Sequence, residues 1–150
     1  MKGLSPENLR DLILSVGTHQ SERTLSPVEV AEFFEKTINA GTTVEELSEE
    51  VLLNPTMIAR FRRLLSLAPE IQHLIGWGGV SQISFSTASE IARLKTSEEH
   101  RFLAKSTLEH ELSKNEVIQI IEVRNKFGKP IDECVEEILK MRPRIIKRYL

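Results

Sequence analysis

Residues 44–63 read VEELSEEVLLNPTMIARFRR, and the punctuation inside this stretch decides the fold. Thr43 and Glu46 form a capping box ahead of a short apolar-periodic run, in which side chain and backbone satisfy each other's orphan donors. Asn54 then Pro55 mark a second start, because proline loses nothing where the first helical N–H has no partner. Two short helices joined by a tight turn must be locked at a steep angle by a few apolar contacts. Val44, Leu47, Val51, Leu53, Ile58 and Phe61 supply six inward positions, with Ser48 small where the helices cross. The stretch reads as a helix-turn-helix. Leu52 occupies the turn position that usually falls to glycine, which tolerates a positive φ, so a re-shaped turn is expected.

The outward face of the second helix carries the candidate chemistry. Thr56, Arg60 and Arg63 are spaced i, i+4, i+7, opposite Ile58, Phe61 and Leu65. The second helix of such a pair lies in the major groove of duplex DNA. Its N-terminus, capped by Asn54, presents a positive dipole end and free N–H groups suited to an anion. Arg60 is the expected base reader, since its fork matches O6 and N7 of guanine. Arg62 and Arg63 are expected to hold phosphates. Asn54, Thr56, Ala59, Arg60, Arg62 and Arg63 make up the candidate DNA-binding set on this helix. A pair of amphipathic helices bearing three arginines is also what a solvated bundle face looks like.

Working outward, the same helical grammar recurs. Ser26 with Glu29 and Ser113 with Glu116 repeat the capping box, and Pro6 and Pro27 follow Ser5 and Ser26. Apolar residues recur at three and four: Leu9, Leu12, Ile13, Val16, then Val30, Phe33, Phe34, Ile38. Further helices are expected near 69–75, 86–94, 98–112, 114–127 and 131–141, with the second helix of the pair running over 55–66. Strand-like alternation is nearly absent, so the fold class is all-α, with eight or nine short helices. Residues 1–24 read as an appended helix and polar linker, 25–122 as the DNA-binding domain, and 123–150 as a helical extension with a basic tail. Gly76, Trp77, Gly78 and Gly79 form a loop that Trp77 is expected to pin to the core rather than offer to a ligand.

Composition narrows the class. With 40% hydrophobic and 28% charged residues the chain is an ordinary globular protein. No apolar run approaches a membrane span and the start lacks a signal-peptide core, so a cytoplasmic location is expected. Cys134 falls at helical spacing with Ile131, Val135 and Ile138 and reads as packing. None of His19, His73, His100 and His110 stands at i, i+4 from another, so neither a metal nor another cofactor is expected. The net charge is −2, unevenly spread. Residues 1–50 hold four Lys/Arg against ten Asp/Glu, 51–100 five against four, and 101–150 eleven against eight. The acidic excess is therefore N-terminal and compatible with a local basic face at Arg60, Arg62 and Arg63.

From Leu25 to about Glu122 the chain resembles the central helical domain of the ParB partition-protein family, including KorB-like plasmid repressors. The resemblance rests on LSPVEVAEFFEKTINAGTTVEELSEEVLLNPTMIARFRRLLSLAPEIQHLI at residues 25–75. It continues through Ile83-Ser84, Ala88, a helix entered at Ser97-Glu98-Glu99, and Leu112-Ser113. It implies an all-α fold, DNA as ligand, and Val44 to Arg63 as the reading head. Where the family commonly carries a Gly-His-Ala-Arg string that helps hold DNA, this chain has Ser86, Thr87, Ala88 and Ser89. Only the alanine matches, which implies a different recognition sequence, with Ser86, Thr87 and Arg93 as donors to phosphate. Residues 1–24 are too short for the family's N-terminal nucleotide-binding domain, so no CTP switch is expected.

The expected partner is double-stranded DNA, bound by a transcriptional regulator or a partition-related protein, with no membrane or small-molecule substrate. A homodimer is expected on geometric grounds, because two-fold symmetry doubles the contacts on a palindrome. The tail containing Arg142, Arg144, Lys147 and Arg148 would clamp phosphates, complete that dimer, or form an ordinary solvated helix. The competing reading is a helical protein-interaction module whose acidic N-terminal half makes the contact. An enzyme is not expected, since no phosphate loop, metal-ligand spacing or nucleophile–base signature occurs.

Overall fold

A computed structural model describes residues 5–16 and 23–143. The described residues form nine α-helices: α1 (Pro6–Val16), α2 (Pro27–Asn39), α3 (Val44–Val51), α4 (Pro55–Arg63), α5 (Pro69–Gln72), α6 (Phe85–Ile91), α7 (Ser97–His110), α8 (Lys114–Phe127) and α9 (Ile131–Lys140). The helix starts follow the local chemistry of the sequence. Ser26, Thr43 and Ser113 each accept from the backbone N–H three residues on, and Glu29, Glu46 and Glu116 return the bond, completing all three expected boxes. Ser5, Asn54, Ser84 and Thr96 cap α1, α4, α6 and α7 in the same one-sided way. Each such cap is worth about 1 kcal/mol.

Several ends differ from expectation, for tertiary reasons. The helix from Pro55 stops at Arg63, and Leu64–Ser66 tightens into a 3-10 turn. Helix α5 stops at Gln72 because Ile75–Gly76 (β1) leaves to pair in parallel with Ile83–Ser84 (β2). Two residues are too few to show a period of two, so this small sheet escaped the sequence pattern. Helix α6 begins at Phe85 and ends at Ile91, which leaves Arg93 outside it. The fold remains helical, with that sheet as a local clasp.

One hydrophobic core runs through the described residues. Helix α2 lies across α4, and Phe34, Leu47, Val51, Ile58, Phe61 and Leu64 are buried between α2, α3 and α4. Leu12 of α1 is also fully buried there, and the Ser15 hydroxyl accepts from the Leu25 N–H at 3.1 Å. The first helix is thus part of the core rather than an appendage. Of the expected linker at 17–23, residues 17–22 lie outside the described residues. At the other end, a boundary at 122 would cut through α8, and Cys134, Val135 and Ile138 of α9 join the same core. The C-terminal helix is integral too. Cys134 is buried packing, as its spacing suggested.

Trp77 anchors the glycine loop. Its indole N–H donates to the Leu25 carbonyl at 2.8 Å, and its ring meets Phe61 and Phe85 edge-on or tilted. The Arg23 guanidinium lies over its face at 4.1 Å. Phe61 and Phe85 stack with centroids 4.0 Å apart and planes 10° from parallel. That stack ties α4 to α6 and fixes their relative position.

Candidate nucleic-acid interface

The α3–α4 pair is locked as the sequence required. Leu47, Val51, Ile58 and Phe61 are buried, while Val44 and Leu53 are half-buried. Ser48 does more than leave room at the crossing. Its hydroxyl donates to the Leu53 carbonyl at 2.6 Å, and its carbonyl accepts the N–H groups of Leu52 and Leu53. The turn is not re-shaped. Leu52 itself takes the left-handed conformation, at φ 58° and ψ 44°, with its side chain 79% exposed.

Helix α4 begins at a capped end. The Asn54 side chain accepts from the Met57 N–H at 2.8 Å, and Pro55 has no N–H. Thr56 carries the first-turn donor that this cap leaves over. Thr56, Ala59 and Arg63 are exposed and Arg60 is half-buried, on the face opposite Ile58 and Phe61. Positive charge is gathered in the last turn by Arg60, Arg62 and Arg63, where the helix dipole favours it.

The three arginines part company. Arg60 and Arg63 both reach α6. The Arg60 guanidinium donates to the Ser89 hydroxyl at 3.3 Å and to the Met57 sulfur at 3.6 Å, and lies 5.6 Å from the centre of the Phe85 ring. Arg63 donates to the Ser89 carbonyl at 3.5 Å. Arg62 is instead held by α2: its Nε donates to Glu35 at 2.8 Å, and Glu35 is driven below the usual carboxylate range by that bond. A phosphate would have to compete with this internal carboxylate for Arg62.

The three candidates beyond α4 also differ. Ser86 is half-buried at the start of α6, and its carbonyl accepts from the Ser89 hydroxyl. Thr87 is buried, its N–H and hydroxyl both engaged with Ser84, so its side chain is turned to the fold. Arg93 is exposed and paired with Glu90 at 2.8 Å. Ser89, Phe85 and Glu35 were missed as partners of the arginines. No local pattern could have found them, because Glu35 and Ser89 stand 27 and 29 residues from the arginines they bind.

Among the described residues no helix is long and apolar enough to cross a membrane, and no three His, Cys, Asp or Glu residues gather as a metal site. No curated protein matches the chain. The family model described as ParB HTH domain matches residues 23–126, from Arg23 through most of α8 and more than two thirds of the chain. That domain binds DNA in partition-related proteins. That match spans the locked α3–α4 pair with its capped, arginine-bearing second helix and most of the helical fold around it, and the chain belongs to the ParB HTH domain family.

Proposed function

We propose that the protein is a cytoplasmic, sequence-specific binder of double-stranded DNA, acting as a transcriptional regulator or in partition, and that α4 enters the major groove. The observation that carries the reading is the division of α4 into two faces. Ile58 and Phe61 are sunk in the core, while Thr56, Ala59, Arg60 and Arg63 are left on the other side. Arg60 reads a guanine edge, and Arg63 and the Thr56 end of the helix hold phosphates. Asn54 acts by capping that end, Ala59 is small enough to let the helix approach closely, and Ser86 and Arg93 donate to the flanking backbone. Two copies related by a two-fold axis would read a palindrome.

Fluorescence anisotropy against random duplex DNA over a salt series tests this. Affinity should fall with salt at a log–log slope of about −0.9 per neutralised phosphate. Arg63→Ala should flatten that slope, and Arg60→Ala should weaken discrimination among sequences. Absence of binding at low salt would overturn the reading. It would favour a protein-interaction module instead, for which the exposed carboxylates Glu45, Glu46, Glu49 and Glu50 of α3 offer a surface.

A further inference from the structure

The residue that aims Arg60 lies outside the helix-turn-helix. Ser89 is completely buried in α6, yet its hydroxyl touches the guanidinium expected to read bases. The hydroxyl's own hydrogen is spent on the Ser86 carbonyl at 2.8 Å, which turns its lone pairs toward Arg60. The Phe85 ring and the Met57 sulfur bound the guanidinium on other sides. The ring is fixed in turn by its stack on Phe61, the residue that locks α4. These contacts take one hydrogen on each terminal nitrogen of Arg60. Three of its five donors remain for a ligand.

We propose that Ser89 is a positioning residue for sequence recognition, selecting the side-chain geometry in which Arg60 meets a base edge. The proposal deepens the DNA-binding reading and rests on it. An unrestrained arginine loses rotamer entropy each time it binds, and it can reach neighbouring base pairs as readily as the intended one. One held from behind loses less and reaches fewer alternatives. Arg63 takes only the Ser89 backbone carbonyl, so Ser89→Ala removes the hydroxyl contact to Arg60 and leaves the support of Arg63. Alanine fits the space and is the better helix former, so the variant should fold.

The experiment compares wild type, Ser89→Ala, Arg60→Ala and the double variant on two duplexes: a sequence selected from a random pool and an unselected one. Ser89→Ala should lower the ratio of the two affinities about fivefold, the lower end of what one bidentate contact contributes. The same substitution in the Arg60→Ala background should leave the ratio unchanged, because nothing is left to position. In the free wild-type protein, side-chain NMR should show the Arg60 guanidinium rotating more slowly than that of Arg63. An equal loss in both backgrounds, no loss at all, or a freely rotating Arg60 overturns the proposal while the DNA-binding reading stands. Failure of the wild type to bind either duplex overturns both.

Discussion

At the scale of single residues, Leu52 shows how the fold imposes itself on an unsuited side chain. A left-handed backbone costs a branched residue roughly 1–2 kcal/mol relative to glycine. Leu52 recovers little of that by burial, since its side chain is 79% exposed. Glycine would relieve the strain but add entropy to the unfolded chain, at a cost of about 0.5–1 kcal/mol. The balance favours Leu52→Gly by about 0.5–1 kcal/mol, readable as a higher urea midpoint at unchanged m-value. A lower midpoint would mean that the leucine side chain packs more than its exposure indicates. The turn persists with leucine because Ser48 holds it from both sides through three hydrogen bonds.

At the scale of elements, the Arg62–Glu35 pair clasps α4 to α2. Both side chains are about one-third exposed, 33% and 36%, so solvent screens the pair and its worth is at most about 1 kcal/mol. Arg62→Ala should therefore lower stability slightly while leaving the salt slope of DNA binding as it is. A slope flatter by about one contact would show Arg62 leaving Glu35 for a phosphate. Spacing alone puts all three arginines on one short helix, and it cannot tell which neighbour each will meet. Helix starts were legible because a cap is a contact between residues three apart. Helix ends were less so. The 3-10 turn after Arg63 and the short α5 follow from contacts with other parts of the chain, such as the Ile75–Ile83 pairing.

At the scale of the whole molecule, α9 closes back on the turn between α7 and α8. Arg142 donates to Glu116 at 2.7 and 2.8 Å and to the His110 carbonyl at 2.9 Å. Glu116 is at once the capping-box carboxylate of α8, and the Arg142 guanidinium holds its pKa at about 2, well below the ordinary 4.5. A carboxyl depressed in the folded state stabilises it above the unfolded pKa, and that contribution is lost as pH falls through the folded one. The melting-temperature gap between wild type and Arg142→Ala should hold from pH 7 to about 5. It should then narrow as pH falls from about 4.5 towards 2. A gap independent of pH would show that Arg142 acts through the carbonyls alone. The rest of the basic tail, Arg144, Lys147 and Arg148, lies outside the described residues.

The sequence by itself determined the helical class, the three capping boxes, the Asn54–Pro55 start of the second helix, the lock positions and the resemblance to the ParB family. The caps and lock positions are written in residues a few positions apart, where backbone geometry converts spacing directly into contact, and the resemblance in the order of such motifs from Leu25 to about Glu122. Only the tertiary structure decided that α1 and α9 belong to the core, that Thr87 faces inward, and that Arg62 is committed to Glu35. It also brought Ser89 behind Arg60. These are contacts across 27 residues or more, or burial set by several helices at once. Whether an arginine meets a carboxylate, a buried serine or open solvent depends on how helices pack, and packing is a property of the assembled core rather than of any local pattern.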